Sequence, residues 1–237
     1  MSQYSYSDGI DLISLSHITY DNLINGSKLS FDNFSLRNIC FPDHKILADN
    51  YAKMLSQSDE KLGYDDISGL FATLGGLSFD NFSIVTGNAR TEIMRFDLSL
   101  LDYIKLIPTQ IKMTFNGFSL PVADLPRSHW LIDLLVSLGY EKTVLEGVVE
   151  ARWQEATQDI VLAESHLTAS EIGGVVLQGV LAGAPREMIE NPQTASLHAA
   201  GLLLKEAKIS LQDQSFVDRF AARVAGDLAT SKDEAKV

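Results

Sequence analysis

The chain has 237 residues, 46% of them hydrophobic, and its 19 Lys and Arg against 31 Asp and Glu leave a net charge of 19 − 31 = −12. That apolar share excludes wholesale disorder, and a single cysteine, Cys40, excludes an internal disulfide or a thiolate metal cage. The negative charge argues against a nucleic-acid partner, because phosphates favour basic surfaces.

The amino terminus, Met1 to Gly9, has neither a basic region nor an apolar run, so it lacks the form of a secretory signal. The expected compartment is therefore the cytoplasm, or the periplasm or cell envelope if a leader has been removed. The longest nearly uncharged apolar stretch, Ile172 to Ala184, falls short of the roughly 20 residues a spanning helix needs. No transmembrane segment is expected.

Taken in chain order, the first strong signal is a repeat. Leu29-Ser-Phe31-Asp-Asn-Phe34-Ser-Leu36 recurs as Leu77-Ser-Phe79-Asp-Asn-Phe82-Ser-Ile84 and again as Met113-Thr-Phe115-Asn-Gly-Phe118-Ser-Leu120. Side chains of a strand alternate faces, so Leu29 and Phe31 share one face while Phe34 and Leu36 have the opposite parity. One extra residue at Asp32-Asn33, Asp80-Asn81 and Asn116-Gly117 restores a single apolar face, which is what a β-bulge supplies. The rival is a two-residue hairpin turn, which Asn116-Gly117 favours.

Between the first two copies, a helix is expected from Asp43, a good N-cap, with Leu47, Tyr51, Met54 and Leu55 on one side. Leu62-Gly-Tyr-Asp65 follows it, and the similar Leu138-Gly-Tyr-Glu141 follows a second helix whose Leu131, Leu134, Leu135 and Leu138 share a face. Gly139 is placed to end that helix. Duplication of this kind points to stacked supersecondary units rather than a cleft enzyme.

The second half alternates like a sheet wet on one side. Lys142 to Trp153 is extended, with Leu145, Val149, Ala151 and Trp153 opposite Glu146, Glu150 and Arg152. Gln154 to Gln158 turns the chain, and strands are expected over Asp159–Thr168 and Glu171–Ala182. Helical sequence after Pro185 runs to about Gly201 and a short strand covers Leu202–Leu211. A last helix is capped by Ser215, striped by Phe216, Phe220 and Val224, and ended by Gly226.

The expected class is α+β, mainly antiparallel β: a curved, bulged meander sheet with short helices packed between and around the strands. Its parts are a β-rich repeat region over 1–120, a helix–meander–helix region over 121–230 and a flexible tail over 231–237, the first two allowing one continuous domain.

Chemistry is hard to find. Ser58-Asp-Glu-Lys61 fits the Ser-x-x-Lys form but has none of its companion motifs. His17, His44, His129, His166 and His198 show no ligand spacing. Asp59-Glu60 and Asp65-Asp66 are adjacent rather than converging carboxylates. Phosphate-binding glycine motifs and the nucleophile elbow do not occur. Cys40, between Ile39 and Phe41, is expected to be a core thiol. Asn25, Asn33 and Asn81 fit the glycosylation sequon, two of them inside the repeated strand. No cofactor and no metal is expected, although a site assembled from residues distant in sequence leaves no such signature.

That leaves Phe31, Phe34, Phe79, Phe82, Phe115 and Phe118 as the candidate site. Either they fill a core between sheet and helices, or part of their face holds a lipid or other apolar ligand by buried area. From about Phe96 to Gly226 the chain resembles uncharacterised envelope proteins of Alphaproteobacteria. The resemblance is carried by Leu138-Gly-Tyr140, Trp153-Gln-Glu-Ala-Thr157, Val175 to Leu181 and Lys208 to Arg219. More remotely the strand–turn–strand rhythm is similar to AsmA-like β-repeat proteins. That likeness implies an elongated β-rich fold, a periplasmic or membrane-associated setting and lipid handling, with no catalytic residues to carry over. The expected function is a non-catalytic binding or scaffolding protein; the alternative is a structural module for a protein partner.

Overall fold

The computed structural model describes residues 6–21, 26–42, 44–45, 48–49, 51–52, 73–86, 89–125, 129–191 and 194–234. Within them, nine strands form one antiparallel sheet in which every strand lies beside its neighbours in sequence. They are β1 Tyr6–Asp21, β2 Lys28–Pro42, β3 Thr73–Thr86, β4 Ala89–Ile104, β5 Ile107–Leu120, β6 Thr143–Gln154, β7 Asp159–Ala169, β8 Gly173–Ala182 and β9 Leu203–Asp213. The edges β1 and β9 do not pair with each other, so the sheet is open. Helix α1 is Trp130–Ser137, α2 Arg186–Glu190, α3 Ala195–Ala199 and α4 Phe216–Glu234, with a 3₁₀ turn at Val122–Asp124. The chain is thus mainly antiparallel β, and β5, at the end of the first expected region, pairs directly with β6 of the second.

Each copy of the phenylalanine repeat lies inside one unbroken strand, β2, β3 or β5, which removes the hairpin-turn alternative. The rings of opposite parity nevertheless meet: Phe31 and Phe34 are 5.9 Å apart between centroids, Phe79 and Phe82 5.3 Å. At this level the Cα ladder lapses in every pair from β1 to β5. One example lies between Ser30↔Ser83 and Asn33↔Asp80, another between Glu92↔Ser119 and Arg95↔Asn116. His17, Asn81 and Gly117, on alternate strands, have positive φ there (55°, 51° and 65°). Only the third copy changes register, stepping by one residue against β6 between Phe115 and Phe118. In the first two copies the register is constant across the lapse, because both paired strands are irregular at the same place and neither holds an excess residue.

Among the described residues the buried apolar core is small. At one end of the sheet, Val122, Leu135, Leu138 and Tyr140 pack together, joined by Leu120, Ile172 and Phe216 among partly buried neighbours. The second expected helix supplies Leu135 and Leu138, and Gly139 leaves it at φ 79°. Tyr140 is 2% exposed, shares a 2.8 Å hydrogen bond with Ser215 Oγ, and lies 4.2 Å beneath the Arg219 guanidinium. At the opposite end, Ala184 is fully buried and its carbonyl accepts the Trp153 indole N–H at 2.8 Å.

Several expectations need correction. Neither β1 nor β4 is among the elements that periodicity predicts, because Leu12-Ile13 and Leu100-Leu101 interrupt a period of two. Ser215 stands at the N-cap position of α4, its carbonyl accepting from the Arg219 N–H at 3.0 Å, but its hydroxyl donates to the Glu171 carbonyl, and Asp213 Oδ1 accepts from the Val217 N–H at 3.0 Å instead. Gly226 does not end α4, which continues through 231–234, since a lone glycine costs a helix only about 1 kcal/mol. The helical stretch after Pro185 is two short helices, α2 and α3. Cys40 is half-buried rather than a core thiol. His44, Lys45, Ala48, Asp49, Tyr51 and Ala52 are helical, while Asp43, Leu47, Met54, Leu55, Asn25, the Ser58–Lys61 motif and both carboxylate pairs lie outside the described residues.

One side of the sheet is polar and carries its own cross-strand order. Ser14, Ser35, Ser78, Asp97 and Thr114 follow one another from β1 to β5 in successive pairings. Beside that row, Arg37 on β2 reaches over Gly76 on β3 to Asp97 on β4. Its Nη1 and Nη2 donate to the two carboxylate oxygens at 2.6 and 3.0 Å. A Cβ on Gly76 would stand 2.7 Å from Arg37 Nη2 and 2.5 Å from the Leu98 carbonyl oxygen, so glycine is what lets the arginine cross. The bidentate pair holds the Asp97 carboxyl below the ordinary carboxylate range, the Arg37 hydrogen bonds being the main cause.

Two outcomes follow from this bridge. Gly76→Ala should lower stability by roughly 1–3 kcal/mol in urea unfolding, since backbone must move to admit the methyl. Because Asp97 ionises more readily folded than unfolded, its contribution is present above the unfolded pKa of about 3.9 and is lost as pH falls through the lower folded value. Asp97→Asn should therefore cost about 1–2 kcal/mol at neutral pH, with the difference from wild type closing below about pH 4. A pH-independent difference would contradict the bridge.

Candidate functional site: a continuous apolar sheet face

The opposite side of the sheet is apolar from edge to edge. Successive pairings link Leu15, Phe34, Phe79, Phe96, Phe115, Gly147, Leu167, Val175 and Leu211, one residue from each of the nine strands. Paired residues in a ladder project to one face, so this is a single transverse row. A parallel row two residues along holds Ile13, Leu36, Leu77, Leu98, Met113 and Val149. Beyond the lapse lie Ile18 and Phe31, then Phe82 and Ile93, then Phe118 and Leu145.

The six repeat phenylalanines all contribute, and all six are half-buried. A seventh, Phe96, lies outside the repeat yet makes the closest ring contact: it stacks on Phe79 at 4.8 Å with 8° between planes. Its only sequence signal is Phe96, Leu98 and Leu100 at alternate positions. Gly147 is the one gap in the row, and the Phe115 ring fills it, since a Cβ at Gly147 would lie 3.1 Å from Phe115 Cζ. Toward β9 the face opens into an apolar concavity of 450 Å³ between Leu167, Val175 and Leu211 of the sheet and Phe216 and Val217 of α4. Leu211 and Val217 are both exposed, as are Phe220 and Val224 further along the helix.

A second concavity, of 510 Å³, opens at the ladder lapse and is lined by Ser30, Ser83, Glu92 and Ser119 together with Arg90 and Lys142. Ser30 and Ser83 hydroxyls lie 3.0 Å apart, and Glu92 is paired with Arg90 at 2.7 Å. No histidine or cysteine lines it. Among the described residues, no three His, Cys, Asp or Glu side chains gather where a metal ion could be held. None of the described helices is long and apolar enough to cross a membrane.

A family model described only as an uncharacterized protein matches residues 166–237, from within β7 through β8, β9 and α4. No curated protein and no solved structure matches the chain.

Proposed function

We propose that this is a non-catalytic β-rich envelope protein whose apolar sheet face holds a lipid or another long apolar ligand. The observation that carries the reading is the nine-residue row across an open sheet, apolar at every position but Gly147, which the Phe115 ring covers. In this reading the register shifts and left-handed residues curve the sheet around that face into a groove, as bulges do. A strand of 14 residues spans about 45 Å, long enough to lie along an extended acyl chain. Each buried methylene contributes about 0.8 kcal/mol, so roughly five to twenty of them offset an association cost of about 4–15 kcal/mol. The envelope setting rests on the resemblance to AsmA-like β-repeat proteins.

A second reading, a protein-interaction module, is favoured by the two open edges. Every residue of β9, and every β1 residue from Gly9 on, is exposed, and such edges can accept a further strand.

Native mass spectrometry of the purified protein, with titration of the fluorescent fatty acid cis-parinaric acid, tests the first reading. Saturable uptake is expected. Phe79→Glu should weaken it at least about tenfold, or ~1.4 kcal/mol, by placing a charge in the row. Ser35→Glu, on the polar side, should leave uptake within about twofold of wild type, because it leaves the apolar area intact. Wild-type protein that takes up no fatty acid, or the same loss in both variants, would rule the lipid reading out.

A further inference from the structure

We infer that β9 is a self-complementary edge, on which a second copy of this chain adds antiparallel about a two-fold axis through Ala207. The inference concerns the edge of the sheet and stands without a bound lipid.

β9 is eleven residues long, exposed throughout, and contains no proline, one of the residues that blunt an edge. From Glu206 onward its side chains alternate regularly, with Lys205 the irregular residue and Leu203 on the polar side. Leu204, Ile209 and Leu211 stand on the apolar side, 66%, 66% and 78% exposed, while Glu206 and Lys208 pair toward the polar side. Sheet faces stay matched across a symmetric antiparallel junction only when the axis passes through a residue, because a one-residue slip turns every side chain over. Centring on Glu206 or on Lys208 sets like charges opposite each other. Centring on Ala207 sets Glu206 opposite Lys208 of the second copy, and the reverse, giving two ion pairs around a small central side chain.

The irregularity in β9 fits the same register. Against β8, Glu206 pairs with Val180 and Leu204 with Leu181, so Lys205 is the extra residue. It is drawn aside to Asp159, whose carboxylate oxygens lie 2.8 and 2.9 Å from its Nζ. With Lys205 skipped in the same way on the free side, Leu204 falls opposite Ile209 of the second copy, both on the apolar side. The axis is perpendicular to the sheet, so both apolar faces end up on one side and the rows continue from copy to copy. The other edge lacks this complementarity: β1 carries Asp8, Asp11 and Asp21 and no Lys or Arg, so two β1 edges bring together only like charges.

Sedimentation velocity of the full chain over a concentration series reads the association, with circular dichroism confirming that each variant is folded. Wild type should form a dimer that dissociates on dilution. Lys208→Glu should raise the dissociation constant at least about tenfold, and Glu206→Lys with Lys208→Glu should restore it to within about threefold. Ala207→Pro, which adds a ring and removes an amide at the axis, should leave a folded monomer. A wild type that stays monomeric up to about 100 μM, roughly 5.5 kcal/mol of association, would overturn the inference. So would a single charge reversal without effect, or a double reversal that fails to restore association.

Discussion

Everything in this molecule depends on keeping one face of a wide sheet apolar through strands whose side-chain parity changes partway along. A strand with an uninterrupted period of two would place Phe31 and Phe34 on opposite faces and divide the apolar residues between them. The lapse in pairing at His17, Asn81 and Gly117 reverses that parity at one level in every strand from β1 to β5. Because the reversal is simultaneous, neighbouring strands remain in register and the rows stay continuous. The local cost is interrupted backbone pairing and left-handed backbone at residues such as His17 and Asn81, where L side chains are strained. The gain is several aromatic contacts on one side, among them the Phe79–Phe96 stack.

The two faces have divided the work of stability between them. On the polar side, the Ser30 and Ser83 hydroxyls link the neighbouring strands β2 and β3, and the Arg37–Asp97 bridge passes over Gly76 to link β2 with β4. On the apolar side, side chains shield one another laterally and leave most of the strands half-buried. Among the described residues, the fully buried large apolar side chains, Tyr140 and Val122, stand at one end, and Ala184 is enclosed at the other. A sheet so built leaves large apolar side chains exposed on β1 and β9, among them Leu15, Ile18, Ile209 and Leu211. That is why a ligand on the face and a strand on the edge are both physically reasonable ways to cover it, and why the two proposals made here address different surfaces.

Edges matter more in this fold than in a barrel, where closure removes them. Here the two edges are chemically unlike. β1 is uniformly acidic among its charged residues, whereas β9 mixes signs in a pattern that matches itself after a two-fold rotation. Lys205 shows how a single irregular residue serves both levels: its ammonium is spent on Asp159, and its displacement returns Leu204 to the apolar side.

The amino-acid sequence by itself determined the class, the repeated aromatic strands, the helix ending at Leu138-Gly139 and the alternating strands from Thr143 onward. These depend on short-range periodicity and turn residues, which a linear text preserves. It also pointed to a common face for Phe31, Phe34, Phe79, Phe82, Phe115 and Phe118, since one extra residue in each copy reconciles their spacing with a strand. Only the tertiary structure decided that Phe96 belongs beside them, that Arg37 bonds Asp97 sixty residues away, and that Ser215 turns its hydroxyl toward Glu171 and Tyr140 instead of capping a helix. Those choices are made by register between strands, and register is a property of pairs of segments that neither segment carries alone.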